Sequence, residues 1–282
     1  MINYSFLTTV KNMTLFSLHE FMNAKEKIAE ALSYKKKILR LCSYCIAPAP
    51  IAREFIVKGG GAQEQIKELT FGLNNMVISV GHQNKERSPT PKNECFTIGY
   101  FGSLQRRKGL QVLIDAFCLI PETYSVALFI STNAQSVLSV FRCVQNKKIA
   151  WRFFKKGRIV INLNQANEEF WTSMGRVDLA VIPTLYYECT PLVLLEILVQ
   201  RTPCLVTEGL GMSHIVKKGV SGDSFPPGNI EALRDRLISI VQNPAEVDEW
   251  RKNLYKPHSI NEYIAALKPI IDELGKRRVC NE

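Results

Sequence analysis

Little in this sequence is concentrated. No run of Lys and Arg exceeds three residues, as at Lys35-Lys36-Lys37, and no basic block is interleaved with aromatics. A nucleic-acid footprint is denser on one element, so that partner is not expected. Of eight cysteines only Cys42-x-x-Cys45 is a close pair. It has neither a second pair at zinc spacing nor a strand-then-helix redox context. Most of the others sit in apolar runs such as Phe117-Cys118-Leu119 and Pro203-Cys204-Leu205, where a thiol packs as a small hydrophobe. With no disulfide framework and no signal-peptide pattern, a reducing cytoplasm is the expected compartment. A clean membrane span is missing too. Thr123–Phe141 is uncharged, but Ser125, Ser131, Thr132, Asn133, Gln135, Ser136 and Ser139 interrupt it. A buried strand over Ser125–Ser131 and a short amphipathic helix are predicted there instead.

What is present is ordinary globular chemistry with a basic bias. The 282 residues are 46% hydrophobic and 22% charged, which excludes wholesale disorder. The formal net charge is +10, heaviest in residues 1–92. Such a surplus points to an anionic partner: phosphorylated small molecules or an acidic membrane surface.

From residue 93 onward, β-branched runs alternate with helical periodicity. Strands are predicted at Phe96–Phe101, Ser125–Ile130, Ile159–Leu163, Asp178–Pro183 and Pro203–Thr207. Helices are predicted at Leu110–Leu119, Gln135–Val144, Glu168–Met174, Leu192–Gln200 and Ile230–Val241. This alternation specifies βαβ units around a parallel sheet, whose strands are apolar on both faces as in Leu179-Ala-Val-Ile182. The expected fold class is α/β, a Rossmann-like doubly wound parallel sheet. Residues 1–92 read differently. Leu18–Cys42 is helical, Cys45–Ala47 a short strand and Ile51–Val57 a helix ended by Gly59-Gly60-Gly61. Asn84–Lys92, with Pro89 and Pro91, reads as a linker. The expected organisation is an incomplete N-terminal α/β segment with linker over 1–92 and a Rossmann-like domain over 93–255. A C-terminal helix over 256–282 would pack back toward the first segment.

Three local patterns could carry chemistry. The first is Gly99-Tyr-Phe-Gly102-Ser103-Leu-Gln-Arg106-Arg107-Lys108-Gly109, at the carboxyl end of a strand where open α/β sheets bind ligands. Its cations suit a diphosphate, although a basic surface turn would read the same. The second is Glu188-Cys-Thr190-Pro191-Leu-Val-Leu-Leu-Glu196. Thr190 is the expected N-cap and Pro191 the first helical residue, so free amides and a partial positive charge would face a phosphate. Carboxylates on either side suit hydroxyl-rich ligands. The third is Gly209-Leu-Gly211-Met212-Ser213-His214, then Gly219-x-x-Gly222 and Phe225-Pro-Pro-Gly-Asn229. It reads either as a ligand-facing glycine loop or as ordinary turns, with Asn229 capping the next helix.

Together these patterns resemble the donor-binding half of the family 4 glycosyltransferases, retaining enzymes with two facing Rossmann domains (the GT-B fold). The likeness extends upstream through Cys45-Ile-Ala-Pro-Ala-Pro-Ile-Ala-Arg-Glu-Phe to Leu69-Thr-Phe-Gly-Leu-Asn74 and covers roughly residues 40–255. It implies a cytoplasmic enzyme, peripheral at most on the inner membrane face. A sugar would move from a nucleoside diphosphate donor to a carbohydrate or lipid-linked hydroxyl acceptor. Lys108, helped by Arg107, would hold the diphosphate and offset charge on the leaving group. Glu188 would bind hydroxyls of the transferred sugar, Thr190 and Pro191 would present the helix terminus, and Glu196 would bind the ribose. No metal and no cofactor beyond the donor itself are implied.

The sequence also departs from the family. Ser103 lines the phosphate site where many relatives carry a second Arg, so Arg106 or Arg107 substitutes or phosphate binding is weaker. His214 stands where relatives usually have Glu. Most of the acceptor-side domain has no counterpart, so a truncated enzyme, or one completed by a partner chain, is expected. The alternative reading is a catalytically incomplete remnant that binds nucleotide sugars or other proteins.

Overall fold

The computed structural model describes residues 15–83, 95–209 and 211–279. The linker expected over 84–92 lies outside them. By its contacts the chain forms two units, one of residues 1–47 and 52–68 and the other of residues 48–51 and 69–282.

The smaller unit contains helix α1 (Leu15–Leu41), strand β1 (Cys45–Ala47), most of helix α2 (Pro50–Lys58) and strand β2 (Ile66–Glu68). The two strands pair in parallel, with Cys45 opposite Ile66. The side-chain amide of Gln65 donates to the carbonyl of Cys42 at 2.9 Å, and Arg53 pairs with Glu68 at 3.4 Å. Cys42 and Cys45 are both free thiols.

The larger unit opens with α3 (Asn75–Gln83), followed by β3 (Phe96–Phe101), α4 (Leu110–Cys118), β4 (Val126–Thr132), α5 (Val137–Phe141) and α6 (Lys147–Lys155). Next come β5 (Ile159–Leu163), α7 (Asn167–Met174), β6 (Leu179–Ile182), α8 (Leu192–Val199), β7 (Cys204–Thr207) and β8 (Gly222–Phe225). Helices α9 (Ile230–Gln242), α10 (Ala245–Lys252) and α11 (Ile260–Val279) complete it. Strands β3 to β8 form one parallel sheet in the order β5-β4-β3-β6-β7-β8. This is the doubly wound Rossmann order, which reverses between β3 and β6.

Each face of the sheet buries its own core. On one side Ile98, Leu128 and Ile130 pack with Leu113, Phe117, Phe153 and Leu237 of α4, α6 and α9. On the other, Ala180, Ile182 and Val206 pack with Val77, Trp171, Leu194 and Leu198 of α3, α7 and α8. Burial on both faces is why these strands read as unbroken apolar runs.

Several elements differ from the sequence reading, among them β2 and α3, which have no counterpart in it. The helix expected over Gln135–Val144 is shortened to α5, and a further helix, α6, follows beyond the expected range. The break is held by Asp115, which is buried and accepts the backbone N–H groups of Gln145 and Asn146 at 2.9 Å each. A carboxylate thirty residues upstream thus fixes the chain that enters α6, a cause no local pattern carries. Gly222–Phe225, read as glycine loop, is the edge strand β8, where Asp223 is held by the Arg236 guanidinium at 2.6 Å. Helix α10 has no counterpart in the sequence reading. Its Trp250 lies fully inside the core, with the Arg236 guanidinium 5.3 Å from the ring centre.

Candidate active site

The loop after β3 begins where the N–H of Gly102 donates to the carbonyl of Ser131 at 3.2 Å. The chain then makes one tight turn, Arg106–Lys108, and leaves it through Gly109 at φ 76°. Only glycine fits there for a second reason: a Cβ on Gly109 would lie 1.7 Å from the carbonyl oxygen of Pro183, just past β6. Two hydrogen bonds complete the junction. The Arg107 carbonyl accepts the N–H of Leu185 at 2.8 Å and the hydroxyl of Thr184 at 3.3 Å. The loops leaving β3 and β6 are therefore stitched together where the sheet order reverses, the usual ligand position in such sheets.

This junction brings Lys108 to Glu188. The ammonium donates to Glu188 Oε1 at 2.7 Å, with both side chains mostly buried. Burial works against the Lys108 charge, but hydrogen bonds to Glu188 and Tyr186 outweigh it and raise the pKa above the usual lysine value. Lys108 and Arg107 share the ring of Tyr186, at 5.3 and 4.8 Å from its centre. The Arg107 Nε also donates to Gln105 at 2.7 Å. Arg106, by contrast, lines clefts with Gln111 and Cys143. Of the two cations expected to compensate for Ser103, Arg107 is the one beside Lys108.

The second oxygen of Glu188, Oε2, is buried and meets no donor. A buried carboxylate oxygen without a partner costs free energy that an incoming hydroxyl would recover. Tyr100 lies behind the pair, its hydroxyl donating to the Ser103 carbonyl at 3.0 Å. Burial and then the nearby Glu188 charge hold that phenol neutral, well above the ordinary tyrosine value.

Helix α8 starts at Leu192, but its cap lies one residue beyond the expected Thr190. Pro191, with extended backbone at ψ 130°, is its N-cap, and no side chain caps it. The Thr190 hydroxyl instead turns away and donates to the carbonyl of Pro48 at 3.2 Å. Proline's fixed φ makes it a good start to a helix, and the threonine is recruited by a distant acceptor. The first amides of α8 are left without intrahelical acceptors, as at any helix start.

Glu196, on the last turns of α8, accepts the Trp171 indole N–H at 3.4 Å. Burial raises its pKa, and the indole hydrogen bond only partly counters this. An ionised Glu196 is the form that accepts two ligand hydroxyls. Ligand affinity that depends on Glu196 therefore falls on acidification at a higher pH than an exposed carboxylate would require. Trp171→Phe removes the donor that favours the charged form and moves this fall to still higher pH. Titrating nucleotide affinity against pH for both proteins checks the displacement.

The third pattern supports the other two. Gly211 donates its N–H to the Glu188 carbonyl at 3.1 Å, and a Cβ there would lie 2.2 Å from the carbonyl oxygen of Cys189. The short helical turn Gly211–His214 thus packs directly on the backbone carrying Glu188. His214 Nδ1 donates to the Gly211 carbonyl, closing this turn on itself. Asn229 caps α9, accepting the Ala232 N–H at 2.9 Å as expected.

Beyond Ser103 lies a polar cleft of about 260 Å³ at the carboxyl ends of β3, β4 and β5. Its lining includes Ser103, Thr132, Asn133, Asn164, Gln165 and Phe170. The Thr132 hydroxyl is buried without a partner, and Gln165 accepts the Ser131 hydroxyl at 2.6 Å. None of these residues except Ser103 stands out in the sequence. Nor do Tyr186, Tyr100 or Trp171, whose roles depend on contacts across the switch point. The first pattern's Gly-x-x-Gly wording does indicate the cleft's edge. Among the described residues no group of three His, Cys, Asp or Glu side chains is arranged for a metal, and no helix is long and apolar enough to cross a membrane.

Comparison with known proteins gives the family and the fold. The profile of a family described as "Glycosyl transferases group 1" matches residues 81–257. No curated protein matches the chain. Among solved structures, Anabaena HepE in complex with UDP and glucose aligns with a TM-score of 0.64 at 17% identity, over 84% of this chain and 67% of that one. A glycosyltransferase of Rickettsia africae aligns with a TM-score of 0.67 at 15% identity, over 87% and 67%. Sucrose-phosphate synthase of Thermosynechococcus elongatus gives 0.60 at 20% identity, over 89% and 61%. The chain thus spans about two thirds of the length of the structures it resembles.

Proposed function

Because the chain belongs to the group 1 glycosyl transferases, we propose that it transfers a sugar from a nucleoside diphosphate sugar to a hydroxyl acceptor. Retention of configuration, a carbohydrate or lipid-linked acceptor and independence from metal ions are part of the same reading. The observation that carries it is the unpartnered Glu188 Oε2 beside a cation bound to the other oxygen. One carboxylate can then hold Lys108 and a sugar hydroxyl together.

Each neighbouring group takes a part of the donor. As the bond from the sugar to the diphosphate breaks, negative charge gathers on the diphosphate. Lys108, Arg107 and the first amides of α8 are the groups that would balance it, the work a divalent cation does elsewhere. Glu196, just over one turn into α8, would take the ribose hydroxyls. The polar cleft between Ser103 and Gln165 has room for the base and a free hydroxyl in Thr132 to recognise it.

Thermal unfolding with nucleotides is the direct test. UDP is the first probe, since HepE is seen with UDP and glucose, and GDP is the second. At one hundred times its dissociation constant a bound nucleotide adds about 2.7 kcal/mol of stability. Lys108→Ala and Glu196→Gln are each expected to reduce this gain. The absence of any shift with UDP, GDP or their sugars would remove the reading. A shift without donor hydrolysis or transfer would leave a sugar-nucleotide-binding module rather than an enzyme.

A further inference from the structure

The connection between β4 and β5 is strongly basic. Between Ala134 and Arg158 the chain has no acidic residue, and it carries Arg142, Lys147, Lys148, Arg152, Lys155, Lys156 and Arg158. Two of these cations are neutralised: Arg152 and Lys156 bind Glu122 at 2.7 and 2.9 Å. Arg142, Lys147 and Lys148 form no ion pair among the described residues, and all three are exposed. Helix α6 buries Ala150 and Phe153 in the core and turns Lys147, Trp151 and Lys155, one turn apart, toward solvent. Trp151 remains 38% exposed, and Leu138 of the adjoining α5 is 68% exposed. The two share one open cleft with Phe141, Arg142 and Lys147. An aliphatic and an indole side chain thus protrude within a ring of uncompensated positive charge.

From this juxtaposition we propose that the α5–α6 face docks on an anionic lipid bilayer, with Leu138 and Trp151 entering the headgroup region and Arg142, Lys147, Lys148 and Lys155 meeting lipid phosphates. The chemistry is that of an interfacial basic amphipathic helix. A nucleic acid is the poorer fit. Base stacking needs an open aromatic face, whereas the Trp151 ring lies 5.6 Å from Phe154 and carries the Lys155 ammonium at 5.2 Å. Leu138 offers nothing to a base. The proposal stands apart from the donor reading, but the two meet in space. Ser139, Val140 and Arg142 of this face line one cleft with Leu104, Gln105 and Arg106, the loop that leads to Lys108. Docking would hold the candidate site's rim at the membrane surface.

Vesicle flotation of the full chain tests it. The protein is expected to float with phosphatidylcholine vesicles containing phosphatidylglycerol, less so as salt rises, and not with phosphatidylcholine alone. Lys147→Glu with Lys148→Glu is expected to weaken binding by about 30-fold or more, given the worth of each basic residue at an anionic surface. Leu138→Asp should cost roughly tenfold through the lost apolar contact. Both variants replace exposed side chains, and unchanged unfolding temperatures would show that they fold. Equal binding by the variants, equal binding to phosphatidylcholine alone, or no binding at low salt would each overturn the proposal. So would a single-stranded oligonucleotide that binds more tightly than the vesicles and loses affinity in the same variants.

Discussion

Glu188→Gln is expected to lower sugar transfer or donor hydrolysis, as kcat/KM, by roughly 10²- to 10³-fold while leaving UDP affinity within about twofold. The exchange is nearly isosteric, so the loop should keep its shape, and the amide oxygen can still accept from Lys108. Two things change. The buried oxygen that meets no donor in the structure becomes an N–H₂ group, which can no longer accept a hydrogen bond from a sugar hydroxyl. The negative charge that raises the Lys108 pKa is also removed. UDP lacks the sugar and is therefore the internal control. Turnover at the parent rate would remove Glu188 from the sugar site. Loss of UDP affinity to the same extent as turnover would place Glu188 at the diphosphate instead.

Gly109→Ala should produce the largest loss of stability. Two costs add at this position. Its backbone is left-handed at φ 76°, which an alanine tolerates only at a cost of about 1 kcal/mol. The new Cβ would also stand 1.7 Å from the Pro183 carbonyl oxygen, so one of the two loops must move. Movement breaks the Leu185-to-Arg107 hydrogen bond. Together these should exceed about 3 kcal/mol, lowering the unfolding temperature by roughly 6–12 °C for a domain of this size. Gly157→Ala separates the two costs. Gly157 has φ 73°, but a Cβ added there would meet nothing within 4 Å, so only the conformational cost of about 1 kcal/mol applies. Equal losses at both sites would show that the contact with Pro183 contributes nothing.

The parts of this structure that are legible in the sequence share a cause. Parallel strands buried on both faces are written as short apolar runs, and so Phe96–Phe101, Leu179–Ile182 and Cys204–Thr207 can be read nearly to the residue. Lys108, Glu188 and Glu196 can be singled out because each sits in a strand–loop–helix context that opens onto a ligand edge. What escapes depends on contacts distant in sequence. Asp115 fixes the chain between α5 and the unexpected α6 by reaching Gln145 and Asn146. Trp171 meets Glu196 only because α7 and α8 pack on the same face. Thr190 resembles a helix cap by its neighbours, yet its hydroxyl is claimed by Pro48. The strand Gly222–Phe225 is hidden because its glycine, aspartate and serine are among the residues less typical of strands.

The stitching of three loops through backbone groups has a thermodynamic consequence. Arg107 to Leu185, Gly109 against Pro183, and Gly211 to Glu188 are contacts made as the domain folds. The conformational entropy of these loops is surrendered then, and little remains to be lost when a ligand arrives. Association at this edge should be fast and should show a small heat-capacity change, confined to the surface the ligand covers. Selectivity among ligands at this edge would then rest on the fit of a nearly rigid mould rather than on a lid that folds around its guest.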